Sequence, residues 1–199
     1  MDSLLKFSRS VDWITYRIGK LMGWLVLTAV LVSSLNAASR YLFNLSSNAW
    51  LELQWYLFGA VVLLGAAYTL QQNEHIRIDI LNSRLRPRTR HIIDIIGHAL
   101  FLLPICILIV WLGVPFFIRS FVSGEISASA GGLIIWPAKI LIPAGFGLLL
   151  AQALSELVKR IAVMQGRIED PYVAKVGHSA PDRPPATAPS AEGDREAYR

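Results

Sequence analysis

Long runs of apolar residues alternate with short polar segments along most of the chain. Four runs predict helices at about residues 20–42, 50–71, 90–114 and 133–158. A helix rises 1.5 Å per residue, so about 20 residues are needed to cross the hydrocarbon core of a bilayer. Each run is long enough, and the pattern predicts an all-α integral membrane protein with four transmembrane helices.

The segment before the first run has a helical period of its own. Apolar residues recur three or four positions apart at Leu4, Phe7, Val11, Ile14 and Ile18, and Lys6, Arg9, Asp12 and Arg17 occupy the other faces. This pattern predicts an amphipathic interfacial helix over residues 1–19 that leads into the first span. A frayed cytoplasmic tail is the alternative, because the segment is short.

The membrane domain is expected to cover residues 20–160, and the rest of the chain differs in composition. Residues 161–199 hold Pro171, Pro181, Pro184, Pro185 and Pro189 among small and charged residues. Such a segment has little apolar surface to bury, which predicts a disordered cytoplasmic tail.

Prolines and small residues inside the spans indicate how the helices bend and pack. Pro104 and Pro143 are expected to kink the third and fourth spans, and Pro115 to help close the third. Small residues lie four positions apart in the pairs Gly19 and Gly23, Ser33 and Ala37, and Gly147 and Ala151. Small residues allow close backbone approach between membrane helices, so these positions are predicted packing faces.

The basic residues predict the orientation of the chain. From the N-terminus, the flanks of the successive spans hold four, one, five, one and three Lys and Arg residues, the last three being Lys159, Arg160 and Arg167. The positive-inside rule then places both termini in the cytoplasm. Trp50, Trp111 and Trp136 all fall at span ends on the opposite, outer side, where indoles prefer the headgroup level.

Composition supports a membrane protein and narrows its partners. The chain is 54% hydrophobic and only 17% charged, with a net charge of +5. The basic residues lie beside the spans without an interleaved stacking platform, so anionic phospholipid is expected as a partner and nucleic acid is not. The single cysteine, Cys106, lies inside the third run and is expected to be an apolar filler.

Ionisable residues inside membrane spans are costly, and each is a candidate functional residue. Here they are Glu52, Asp94, His98, Lys139 and Glu156. Glu52 and Lys139 lie near outer span ends, level with Arg40, which predicts an ion-pair cluster of these three residues. A proton or coupling-ion site would need a carboxylate near the midplane, and none of the four spans has one there.

A metal or redox site is one alternative. His91, Asp94 and His98 lie on one narrow face of a helix, and Glu74 and His75 are on the loop before it. The HEXXH and CXXC spacings of metal sites are absent, as are nucleophile and phosphate-loop motifs. The sequence therefore predicts no enzyme and no cofactor, with a membrane-bound metal or redox protein using His91, Asp94 and His98 kept as an alternative.

Several segments together resemble a known family of membrane proteins. They are RYLFN (40–44), AWLELQWYLF (49–58), GAAYTL (65–70), EHIRID (74–79), GEIS (124–127) and GGLIIWPAKILIPAGFGLLLAQALSELVKR (131–160). The combination is similar to the small membrane subunit, of the DctQ or SiaQ type, of tripartite ATP-independent periplasmic (TRAP) transporters. The second half looks like the version in systems labelled for mannitol or chloroaromatic compounds.

The resemblance implies a scaffold role in the bacterial inner membrane. A large membrane subunit would carry the substrate and sodium sites, and a periplasmic binding protein would deliver an organic acid or related small solute. Trp50 and Glu52 match the family pattern at the start of the second span, and His75, Arg77 and Asp79 match it after that span. Ile135, just before Trp136, stands where some relatives have a basic residue.

Two regions are candidate structural or interface sites. One is the set of outer-side residues, and the other is the cytoplasmic elbow between the second and third spans. Glu74, His75, Arg77 and Asp79 are expected to form this elbow. Arg77 and Asp79, which have opposite charges two positions apart, are expected to lock it or dock it on the large subunit. A self-sufficient small four-helix transporter is the remaining rival to the scaffold. Small exporters of the multidrug type carry a deep carboxylate in the first span, where this chain has only Ser33, Ser34 and Asn36.

Overall fold

The computed structural model describes residues 2–44, 47–72 and 87–166, which form a bundle of helices. Its elements are α1 (Asp2–Phe43), α2 (Asn48–Gln72), α3 (Pro87–Ile96), a π-helical turn (Gly97–Leu102), α4 (Leu103–Ser123) and α5 (Trp136–Met164). Since α3, the π turn and α4 are continuous, the described chain contains four long helices. All four are long and apolar enough to cross a membrane, which confirms the predicted all-α class and the four spans.

Helix α5 is the centre of the bundle. It packs against α1, α2 and α4, and α1 and α2 also pack along each other. Close approach depends on small residues at the crossings, as expected for helices that associate without a hydrophobic drive. A Cβ atom on Gly145 would lie 2.8 Å from the carbonyl oxygen of Leu63 in α2, so only glycine fits there.

Burial in this bundle differs from that in a water-soluble protein. Gln152, Ser155, Glu156 and Arg160 of α5 are all buried, whereas many large apolar side chains face outward, with Val122 79% exposed. Polar groups hidden inside an apolar shell satisfy one another there, and the apolar shell suits hydrocarbon surroundings. The burial pattern supports membrane insertion independently of helix length.

Helix α1 is one continuous helix of 42 residues, without a break at residue 19 where the interfacial segment was expected to end. Its first third faces the bundle with the buried residues Ser8, Val11 and Thr15. Gly19 continues the helix and packs directly on Tyr68, since a Cβ atom on Gly19 would lie 2.2 Å from the Tyr68 ring. Helix α1 therefore packs against α2 and α5 well before the first predicted span begins.

The third helix contains a π turn near Pro104, where a kink was predicted, and it is longer than predicted. The π turn directly precedes Pro104, which removes a backbone donor and crowds the preceding turn. Pro115 does not close the helix as expected, because α4 continues to Ser123 with Pro115 inside it. Gly124 then ends α4 with a φ of 61°, the left-handed conformation that favours glycine.

The predicted small-residue faces have different surroundings. Gly19 packs on Tyr68, and Ser155, one helical step beyond Ala151, hydrogen-bonds to the Ser8 hydroxyl at 2.7 Å. Among the described residues, nothing lies within 4 Å of a Cβ atom built on Gly23 or Gly147. Only part of these faces is therefore used for packing within the described chain.

Candidate functional site

Glu52 lies in the first turns of α2, buried at the end of the bundle where α1 joins α2 and α4 joins α5. We call this the loop end. The Glu52 carboxylate accepts hydrogen bonds from the Leu133 backbone N–H at 2.7 Å and from the Ser127 hydroxyl. Both donors belong to the loop of residues 124–135 between α4 and α5. Glu52 therefore attaches this loop to α2, and it does so with neutral donors.

The 124–135 loop is folded back on itself beside Glu52. An antiparallel bridge joins Ile126 to Ile134, with the Ser127 N–H donating to the Leu133 carbonyl at 3.0 Å. Gly132 is required by space, because a Cβ atom there would lie 2.5 Å from Ser127 Cβ and 3.0 Å from Glu52 Oε1. The loop is thus shaped to bring two donors to one carboxylate.

Lys139 pairs with Glu125, and this corrects the predicted cluster of Arg40, Glu52 and Lys139. The Lys139 amine bonds the Glu125 carboxylate and lies 4.2 Å from the centre of the Phe116 ring. The hydrogen bond from Lys139 lowers the pKa of Glu125 below its ordinary value. The sequence reading overlooked Glu125 as the partner, since Glu125 stands in a loop outside the predicted spans.

Arg40 lies apart from these residues. Its exposed side chain is in the last turn of α1 and lines a groove between α1 and α2. Among the described residues, no hydrogen bond or ion pair holds it. The structure therefore does not bring Arg40 together with Glu52 or Lys139.

The two tryptophans at the loop end have different surroundings. Trp136 begins α5 and meets the ring of Phe121 edge to face, with ring centres 5.4 Å apart at 85°. Such aromatic pairs add to the packing between α4 and α5. Trp50 in the first turn of α2 is 45% exposed and lines an apolar groove with Leu42 and Phe43.

The opposite end of the bundle, where α1 begins and α5 ends, holds a second polar cluster. We call it the terminal-end cluster and define it as Asp12, Gln152, Ser155, Glu156 and Lys159. The Lys159 amine lies 3.1 Å from one Asp12 oxygen and 2.5 Å from Glu156 Oε1. Gln152 donates to Asp12 at 2.8 Å and to Glu156 at 3.2 Å. One lysine and one amide therefore hold two carboxylates from two helices.

Further contacts attach this cluster to neighbouring helices. The Ser155 hydroxyl donates to Asp12 Oδ1 at 3.1 Å, and the Gln71 side chain of α2 donates to the Asp12 carbonyl at 2.8 Å. Asp12 thus contacts both α5 and the end of α2. Of this cluster, the sequence pattern predicted only Glu156 as a candidate functional residue. Asp12 was assigned to the polar face of an interfacial helix.

At the alternative metal site of His91, Asp94 and His98, the structure places two of the three residues in contacts within the chain. The Asp94 carboxylate binds the Arg160 guanidinium at 2.5 Å, and His98 Nδ1 lies 2.6 Å from the Asp94 carbonyl oxygen. For His91 only the backbone is described. Among the described residues, no three His, Cys, Asp or Glu side chains are placed to hold a metal ion. The geometry ties the third helix to α5 by an ion pair.

Glu74, His75, Arg77 and Asp79 lie outside the described residues. Their expected role in a cytoplasmic elbow therefore stays a prediction. The same holds for the tail after residue 166.

Comparison with known protein families identifies a match over most of the chain. The model of the family described as tripartite ATP-independent periplasmic transporters, DctQ component, matches residues 8–163. The matched region begins at Ser8, which contacts Ser155, and includes all of the loop-end and terminal-end residues described above. No curated protein matches the chain.

Proposed function

Because the chain belongs to the DctQ component family of tripartite ATP-independent periplasmic (TRAP) transporters, we propose that it is the small scaffold subunit of a sodium-driven importer. The proposed partners are a large membrane subunit, which binds and moves the solute, and a periplasmic substrate-binding protein. The proposed solute is an organic acid or a related small polar compound. This chain is the stationary element against which the large subunit works.

The single observation that supports a scaffold is the way the charged side chains of the two clusters are bound. Glu52 is held by the 124–135 loop at one end, and Asp12 and Glu156 are held by Lys159 at the other. A transported solute or coupling ion would need groups that are free to exchange partners. The charged groups of the two clusters are already engaged within the chain.

The region between the two ends also suits a scaffold. Gly145 meets Leu63 where α2 crosses α5, and a Cβ atom on Gly113 would lie 3.4 Å from Pro143 where α4 crosses α5. Helices this close leave no room for a solute path between them at these crossings. The described bundle is thus closely packed at these two crossings.

We place the chain in the bacterial inner membrane with both termini in the cytoplasm. The alternation of Lys and Arg along the sequence supports this orientation. In it, the loop end faces the periplasm and the terminal-end cluster lies near the cytoplasmic side, where anionic phospholipid is the expected lipid partner.

The test is reconstitution of the complete system. An affinity-tagged full-length chain purified from native membranes should recover a large multi-span membrane protein. Vesicles holding both proteins, supplied with the binding protein, should take up a solute from a panel of organic acids only when an inward sodium gradient is present. Vesicles with this chain alone should take up nothing, and uptake by them would contradict the scaffold role.

A further inference from the structure

A polar groove runs between α1 and α2 at the loop end of the bundle. It has a volume of about 480 Å³ and is lined by Ser33, Asn36, Arg40 and Asn44 on the α1 side and by Leu51 and Gln54 on the α2 side. Asn44 caps α1 with a φ of 55°, which turns the chain toward α2. The groove is open to the surroundings of the bundle.

The groups in this groove are donors and acceptors without partners in the described chain. Arg40 offers five N–H donors, and Asn36, Asn44 and Gln54 offer amide groups. None of their side chains makes a hydrogen bond within the described residues. No acidic residue lines the groove. The groove is thus positively charged and suited to an acidic, hydrogen-bonding occupant.

The depth of these groups makes the missing partners costly. At 1.5 Å per residue, Asn36 and Ser33 lie about 10 to 15 Å along α1 from its end at Phe43. Hydrocarbon at that depth cannot hydrogen-bond, and an unsatisfied amide there costs several kcal/mol by general transfer data, of order 2–7. An occupant of the groove should therefore form hydrogen bonds with polar groups that are spread over two turns of α1.

We propose that this groove receives a transmembrane segment of the large membrane subunit, with a carboxylate of that segment paired to Arg40. The inference rests on the proposed function and adds to it the surface through which the subunits join. A helix carrying one acidic residue near its end and polar residues one and two turns deeper matches Arg40, Asn36 and Ser33 in charge and depth. Polar side chains of this kind are known to join helices in membranes.

A phospholipid fits the groove less well. Its phosphate can reach Arg40 near the end of α1, but its acyl chains would then lie against Ser33, Asn36 and Gln54. Those groups would stay unpaired beside the lipid, whereas a polar helix satisfies them. The two occupants therefore predict opposite effects of removing the deeper polar groups.

Charge reversal at Arg40 tests the proposal in the complete complex. In co-purification from native membranes, Arg40→Glu should reduce recovery of the large subunit at least about tenfold, since an opposed carboxylate pair replaces an ion pair. Arg119→Glu is the matched control. Arg119 is also exposed near the loop end, on α4, without a bond in the described chain, and its reversal should leave recovery unchanged.

The variant Asn36→Leu separates the two occupants. If a polar helix occupies the groove, Asn36→Leu removes the amide that it bonds, so recovery of the large subunit should fall. An acyl chain would pack better against leucine, so unchanged or higher recovery, with phospholipid still bound in native mass spectrometry, would overturn the proposal. The thermal midpoint of each purified variant should match the wild type, because neither side chain has a partner within the described chain.

Cross-linking locates the interface directly. A photoreactive phenylalanine at Ala37, in the wall of the groove, should cross-link to the large subunit. The same group at Trp111, which is 75% exposed on α4, should not. The reverse pattern would overturn the groove assignment and leave the proposed function standing. A wild-type chain that recovers no large membrane protein would overturn both.

Discussion

At the loop end, the Glu52 carboxylate is held by a backbone N–H and a hydroxyl, whereas at the terminal end Asp12 and Glu156 share the amine of Lys159. The first arrangement connects a helix to a loop, and the second connects one helix to another. Glu52 has no cation bound to it among the described residues. The same chemical group is thus stabilised once by dipoles and once by charge.

The contrast has a physical basis, because the carboxylate holds a loop at one end and a neighbouring helix at the other. A loop has free backbone donors, and a carboxylate that accepts from them orders the loop without needing a long cationic side chain. Two packed helices have used most of their backbone donors internally, so the hydrogen bonds between them are donated by side chains. Removing a partner should therefore loosen a loop at one end and separate helices at the other.

The largest effect is expected at Lys159. The variant Lys159→Met leaves Asp12 and Glu156 close together without a cation. Lys159 and Asp12 are about a quarter exposed, so the loss should lie below the roughly 3–5 kcal/mol of a fully buried pair. The thermal midpoint and free energy of unfolding of the purified complex measure this loss. Adding Glu156→Gln to Lys159→Met should restore part of the stability, because one of the two carboxylates is then neutral.

Lys20→Met is the matched control for Lys159→Met. The Lys20 amine lies 4.7 Å from the centre of the Tyr16 ring on the exposed side of α1. An exposed cation–π contact contributes about 0.5–1 kcal/mol, so this variant should be only slightly destabilised. Equal losses for both lysine variants would show that the terminal-end cluster does not hold the helices together.

A smaller and more local effect is expected at Glu52. The variant Glu52→Gln removes an acceptor oxygen and leaves one partly buried donor unpaired, so the loss of stability should be smaller than at Lys159. Limited proteolysis should then cleave faster within residues 124–135. Lys159→Met is the control for this readout and should leave cleavage of the loop unchanged. Faster cleavage in both variants would contradict the separation of the two ends.

The smallest effect is expected from acid titration of Glu125. Lys139 lowers the pKa of Glu125 in the folded protein, so the pair contributes stability above the ordinary pKa of a glutamate. That contribution is lost as the pH falls through the lowered pKa. The loss should be small because the Glu125 side chain is 41% exposed. Thermal midpoints measured from neutral to acidic pH give the curve, and Glu125→Gln should lack this part of the decline.

The helices and their membrane character could be predicted from the sequence alone. Apolar runs of sufficient length predict spans without reference to any other segment, and four of them appear in the structure. Helix ends were less predictable. Pro115 was expected to end the third span, yet the helix continues past it to Ser123, because packing of α4 on α5 outweighs the one lost backbone bond.

Partner choice was decided by the packing of the helices. Glu52 and Lys139 were predicted to need partners, but no sequence pattern distinguishes Leu133 and Glu125 as those partners from Arg40 or from Glu52 and Lys139 themselves. Asp12 and Lys159 stand 147 positions apart, so no local pattern relates them. Hydropathy is a property of each segment, so a membrane span can be predicted from that segment alone. An ion pair requires two side chains within a few ångströms, and that distance exists only after the helices have packed.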